Sequence, residues 1–147
     1  MSAGPVERGF FLFTHFAFFY SQAIMFELDI TRDFSAAHSL RGYNGDCSAL
    51  HGHNWTVQVF VVSRELDEIG IAMDFKLLKK ELNEVLAEFD HKYLNDLPAF
   101  AGKNPTSENI AMYIYQRLKP VVTSVPGASL SRVRVCESLT SGASYSE

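Results

Sequence analysis

The 147-residue chain contains only two cysteines, Cys47 and Cys136. One of them sits inside a histidine cluster, so a disulfide framework is excluded as the basis of the fold and a reducing compartment, the cytoplasm, is the expected setting. Excess positive charge is also missing: 13 Lys and Arg stand against 17 Asp and Glu, for a net charge of -4. Without a basic run there is nothing to neutralise a phosphate backbone, and nucleic acid is not an expected partner. The longest apolar stretch, FFLFTHFAFFY, falls short of the roughly 20 residues that span a bilayer, so no membrane segment is expected. Internal repeats and low-complexity linkers are absent as well.

What is present is one domain's worth of apolar residues, 47% of the chain. Residues 1–24, which include that aromatic stretch and His15, differ in composition from the rest and read as an N-terminal extension. Residues 25–147 read as a single domain. From Phe26 the even positions Phe26, Leu28, Ile30, Arg32, Phe34, Ala36 and His38 form a mainly apolar face against Glu27, Asp29, Thr31, Asp33 and Ser35, the period of a half-buried strand. His38 shares that face provided no bulge at residues 35–37 shifts it. A second strand from His51 to Ser63 places His51, His53, Trp55, Val57, Val59 and Val61 on one side.

Asp74 is expected to cap a helix burying Phe75, Leu78, Leu82, Val85, Leu86 and Phe89, ending near Asp90 and His91. A second helix should start after Asn104 and Pro105, with Thr106 or Ser107 as cap and Glu108 in its first turn. Ile110, Ala111, Ile114 and Leu118 would form its buried stripe, and Pro120 would stop it. A strand with Ser131, Val133, Val135 and Glu137 on one face, a turn and a short last strand complete the order strand, strand, helix, helix, strand, strand. This order predicts an α+β domain: a four-stranded antiparallel sheet with two helices on one face.

Three histidines at the ends of neighbouring strands, His38, His51 and His53, carry the strongest chemical signal. Residues two apart on a strand lie about 7 Å apart on the same side, a span two imidazoles close on one ion. Three protein ligands leave a fourth zinc position open for water or substrate. Cys47 has two readings: a fourth ligand that closes the site, or a thiolate base beside the metal. Asp90 is placed to orient the His91 imidazole, and a helix C-terminus would equally favour a histidine there. Glu137, ending an apolar face, calls for a partner: a ligand with two parallel N–H groups, or a salt bridge such as one to Arg32.

In sequence, FSAAH, CSALHGHNW, DFKLL, FDHKYLND, NPTSENIA and VCES resemble the 6-pyruvoyltetrahydropterin and 6-carboxytetrahydropterin synthase family over residues 25–147. The resemblance implies the tunnelling fold, in which three subunits join their sheets into a barrel and two rings stack as a homo-hexamer. It implies Zn2+ on His38, His51 and His53, Cys47 as proton-abstracting base, and Asp90 and His91 assisting it, across a subunit boundary. It also implies Glu137 as anchor of the amino-pyrimidine edge of a pterin, near Thr106 and Glu108. The implied substrate is 7,8-dihydroneopterin triphosphate. Three residues between Cys47 and His51 resemble the 6-carboxytetrahydropterin branch of queuosine and deazapurine biosynthesis, which releases triphosphate and acetaldehyde; the pyruvoyl enzymes of tetrahydrobiopterin synthesis usually have a longer gap. A non-catalytic zinc-stabilised oligomerisation module would account for the histidines but not for Cys47, Asp90, His91 and Glu137.

Overall fold

The computed structural model describes residues 25–147; the N-terminal extension and His15 lie outside the described residues. Four strands, β1 (Phe26–His38), β2 (His51–Ser63), β3 (Ala128–Cys136) and β4 (Gly142–Tyr145), form one antiparallel sheet in the order β1-β2-β3-β4. Two helices, α1 (Phe75–Leu86) and α2 (Ser107–Thr123), cover one face. The α+β order expected from the sequence is the one observed.

β1 and β2 pair without interruption from Phe26 opposite Ser63 to His38 opposite His51. No bulge intervenes at residues 35–37, so the period of two carries from the apolar core directly into the histidines. Ile30, Phe34 and Ala36 of β1 and Trp55, Val57, Val59 and Val61 of β2 are buried with the inner faces of both helices. The opposite face is polar near the histidine end, where Thr56 donates to Asp33 Oδ1 at 2.7 Å.

β3 departs from the expected alternation. Phe60 pairs with Arg132 but Val61 with Leu130, leaving Ser131 as an extra residue. This bulge brings Ala128 and Leu130 to the same core face as Val133 and Val135, and Ser131 does not continue the Val133 and Val135 stripe as the sequence suggested.

Both helices start as expected. Asp74 accepts from Lys76 N–H at 2.7 Å, and Thr106 Oγ1 accepts from Asn109 N–H at 3.3 Å. α1 is shorter than its apolar pattern: it ends at Leu86, and 3-residue turns bonded from Glu88 to Val85 and from Phe89 to Leu86 carry the chain onward. Phe89 is buried from this turn, whereas Phe75, counted in the stripe from spacing, is 45% exposed at the helix start. Pro120 does not stop α2, which continues to Thr123. The missing proline N–H costs only the bond to Gln116, whose exposed position gives that carbonyl water instead. Val122, beyond the proline, is fully buried, and this packing holds the last turn.

Candidate active site

The histidine end of the sheet is built by register. His38 and His51 are direct cross-strand partners, and His53 lies opposite Ala36 on the same side. Ring centroids are 4.5 Å apart for His38 and His51, 4.9 Å for His51 and His53, and 5.2 Å for His38 and His53. One nitrogen from each ring falls within 4.8 Å of the other two, a spacing that fits a shared metal ion. Trp55 forms the floor, edge-on to His38 at 4.9 Å and to His53 at 5.1 Å, with its indole N–H donating to the Ala36 carbonyl at 3.2 Å.

Hydrogen bonds decide which imidazole nitrogens are free. His38 Nδ1 lies 2.8 Å from the Pro105 carbonyl, and His51 Nδ1 lies 2.8 Å from the Ala49 carbonyl. A carbonyl only accepts, so each Nδ1 carries the proton and each Nε2 keeps its lone pair in the neutral ring. His38 is 1% exposed, and its Nε2 is the one buried side-chain polar atom among the described residues that has no hydrogen-bond partner. An unpaired lone pair at that depth is costly, and a cation held by all three rings would satisfy it. Burial holds the His38 pKa below the ordinary imidazole value, against the pull of the Pro105 hydrogen bond. Burial also lowers His53, opposed chiefly by the Glu137 carboxylate nearby. Both effects favour the neutral rings that metal binding requires.

Cys47 sits in a single 3-10 turn, Asp46–Ser48, half-buried, with its carbonyl accepting from Leu40 N–H at 2.9 Å. The converging nitrogens are those of the three histidines, and Cys47 Sγ is not in that set. Asp90 and His91 are paired at 2.9 Å through Oδ2 and Nδ1, while Asp90 Oδ1 accepts from Ser35 N–H at 3.0 Å. The Ser35 bond first, and His91 second, hold the Asp90 carboxyl below its usual range. His91 adopts left-handed backbone geometry, φ 56°, which turns the chain back along the outer edge of β1. With His53, Gly52 and Lys92 it lines an open groove of about 570 Å³.

Glu137 follows β3 directly. It shares a cavity of about 390 Å³ with Thr106, Glu108 and Leu40, so the residues singled out from the sequence for ligand binding are brought together. Among the described residues Glu137 has no cationic partner within 4.0 Å, and the salt bridge to Arg32 is not formed: Arg32 donates to Asn83 Oδ1 at 3.2 Å instead. A carboxylate in a pocket without a cation is available to N–H groups of a ligand.

A sequence profile described as 6-pyruvoyl tetrahydropterin synthase matches residues 27–147. The chain belongs to this family. It is 41% identical over 117 residues to the 6-carboxy-5,6,7,8-tetrahydropterin synthase of Synechocystis sp., spanning 76% of this chain and 86% of the relative. It is also 37% identical over 105 residues to the dihydroneopterin monophosphate aldolase of Pyrococcus furiosus, spanning 71% and 82%. Among solved structures, the 6-pyruvoyl tetrahydropterin synthase of Caenorhabditis elegans superposes with a TM-score of 0.73 at 31% identity, covering 84% of this chain and 96% of that one. The names of these three proteins carry different reactions, and similarity alone does not select one of them for this chain.

Sequence reasoning missed the groups that hold the histidines in place. The carbonyls of Pro105 and Ala49 fix two histidine tautomers, and Asn95 and Asn104 grip the chain between His38 and Cys47. Backbone carbonyls leave no mark in a sequence. In the sequence Asn104 and Pro105 mark the approach to the second helix, and nothing there points to their contacts with Arg41 and His38.

Proposed function

We propose that this chain is a zinc-dependent lyase that converts 7,8-dihydroneopterin triphosphate to 6-carboxy-5,6,7,8-tetrahydropterin, releasing triphosphate and acetaldehyde. The observation that carries the reading is the buried, unpartnered Nε2 of His38 facing two more imidazoles close to the Glu137 carboxylate. The Synechocystis relative and the three-residue gap between Cys47 and His51 support the carboxy product.

Each residue then has a task its chemistry suits. His38, His51 and His53 would hold zinc, which when bound acts as a Lewis acid toward the substrate's side-chain hydroxyls. Glu137 accepts two N–H bonds from the amino-pyrimidine edge and so sets the ring's orientation, with Thr106 and Glu108 flanking it. Cys47, as thiolate, accepts a C–H proton from the side chain. The Asp90 carboxylate holds the His91 ring through Nδ1, so that the pair can pass protons to and from the substrate side chain. Because β4 and the Phe26 end of β1 lie at the edges of the sheet, away from the stretch of β1 that pairs with His91 and Lys92, a homo-hexamer built by joining sheets is the proposed assembly, with Asp90 and His91 serving a neighbouring site. A cytoplasmic setting accords with the two free thiols.

The test is incubation of the zinc-loaded enzyme with dihydroneopterin triphosphate, with products identified by mass. The expected products are 6-carboxytetrahydropterin, acetaldehyde and triphosphate, with one zinc per chain. A pyruvoyl product without acetaldehyde would move the chain to 6-pyruvoyltetrahydropterin synthesis, a reaction the Caenorhabditis elegans neighbour's name carries. Cleavage of the side chain with the phosphate retained would favour the aldolase chemistry named for the Pyrococcus furiosus relative. Zinc binding with no turnover of any of these pterins would leave only a zinc-stabilised oligomerisation module.

A further inference from the structure

β1 goes on pairing beyond its last regular residue. Along its outer edge the Ser35 carbonyl accepts from His91 N–H at 2.6 Å, and Ala37 N–H donates to the Lys92 carbonyl at 3.0 Å. Two residues on, Ser39 N–H donates to Asn95 Oδ1 at 2.9 Å while the Ser39 carbonyl accepts from Asn95 Nδ2 at 2.8 Å. Two further on, Arg41 N–H donates to Asn104 Oδ1 at 2.8 Å while the Arg41 carbonyl accepts from Asn104 Nδ2 at 3.0 Å. A primary amide offers a donor and an acceptor side by side, as a paired strand does. Two side chains therefore extend the ladder where no backbone partner is in place.

The other side of this gripped segment leads to the thiol. Leu40, between the two clamped residues, donates its N–H to the Cys47 carbonyl at 2.9 Å. Asn104 also precedes Pro105, whose carbonyl holds His38 Nδ1, and its own carbonyl accepts from Asn109 Nδ2 at 2.8 Å in the first turn of α2. One residue thus stands between the Cys47 turn, a histidine of the triplet and the helix start that carries Thr106 and Glu108. Further ties run from Tyr93 Oη to Ser39 Oγ at 2.8 Å and from Arg41 to the Asn95 carbonyl at 3.3 Å, both in line with the same register.

We infer that Asn95 and Asn104 are positioning residues for Cys47: their amides keep residues 39–41 extended and, through Leu40, set where the Cys47 thiol stands relative to the histidine triplet. The inference rests on the proposed role of Cys47 as base. Asn95 is 5% exposed and uses both ends of its amide, whereas the Asn104 clamp is solvent-accessible. Truncating Asn104 hands the Arg41 backbone groups to water and leaves the Asn104 carbonyl and the α2 cap in place, so the change is local.

The experiment compares Asn104→Ala in the zinc-loaded enzyme, with and without Cys47→Ala, and reads alkylation of Cys47 by iodoacetamide in a Cys136→Ser background where it is the single thiol. The expected result is a fall in kcat of about 10- to 100-fold, the scale of an ångström's misplacement, with KM and zinc content unchanged and the alkylation rate altered. In the Cys47→Ala background the same substitution should cost almost nothing further, because the group it positions is gone. Asn104→Asp keeps the acceptor for Arg41 N–H and loses the donor, so its loss is smaller; it also serves if Asn104→Ala does not fold. Equal losses in both backgrounds, loss of zinc with kcat, or an unchanged alkylation rate would overturn the inference. Full activity of Cys47→Ala would instead sink the base assignment, and the alkylation rate would then judge the clamp by itself.

Discussion

Where Phe26 lies opposite Ser63, the helix-covered face of the sheet carries Val59, Val61 and Leu130, which share one core with Leu118 and Val122 of α2; where His38 lies opposite His51, the same face carries three imidazoles. The buried polar residue of the first end, Ser63, is satisfied locally, donating to the Glu65 carbonyl at 2.7 Å and accepting from Glu65 N–H at 3.2 Å. At the second end His38 Nε2 has no partner. The apolar end meets its own requirements and adds stability, whereas the histidine end gives up some of that stability by burying a nitrogen without a partner.

The contrast breaks most sharply at the ligands. His51→Ala should bring zinc well below one per chain and lower turnover beyond the factor of about 10⁴ that marks the upper end for losing a general base; metal analysis with single-turnover rates checks it. Cys47→Ala should lower kcat by about 10²- to 10⁴-fold with zinc retained, and loss of the metal together with the thiol would show that the cysteine is a ligand after all. At the opposite end Leu118→Ala, at a position 1% exposed, should cost about 2–5 kcal/mol in denaturant unfolding while zinc per folded chain and kcat stay as they were.

A smaller effect sharpens the same comparison through pH. His38 and His53 are held below the ordinary imidazole value of about 6.5, chiefly by burial. In that window the unfolded chain binds more protons than the folded one, so stability is fully present above about 6.5 and is lost as pH falls toward the depressed values. Metal-free protein should therefore show a falling denaturation midpoint below that pH, and His53→Gln should flatten the trend. The smallest effect belongs to the surface: Lys80→Ala breaks exposed pairs with Glu81 and Glu84 and should leave Tm unchanged within error.

Much of the site was legible because strand alternation is a local property. Phe26 to His38 and His51 to Val61 each keep a period of two, and that period alone puts His38, His51 and His53 on one side of a sheet. Helix caps were equally local, and Asp74 and Thr106 act where the pattern placed them. The readings that changed involve distant partners. Phe75 fits the spacing of the α1 stripe yet stays exposed, on the rim of a surface cleft shared with Phe26, Leu66 and Ile71 and outside the core. Pro120 lies inside α2 because Val122 is held by the core.

By itself, then, the sequence determined the order of elements, the apolar face of each strand and the position of three imidazoles at the end of that face, since all of these follow from backbone periodicity and side-chain type. Only the tertiary structure decided that Ser131 bulges from β3, that Arg32 turns to Asn83 and leaves Glu137 without it, and that Asn95 and Asn104 grip the chain leading to Cys47. These depend on segments far apart in the chain: His38 and Pro105 are 67 positions apart, and the bond between them leaves one buried nitrogen free for a ligand. Such a pairing is set by how the helix layer closes over the sheet, and no local pattern of residues encodes it.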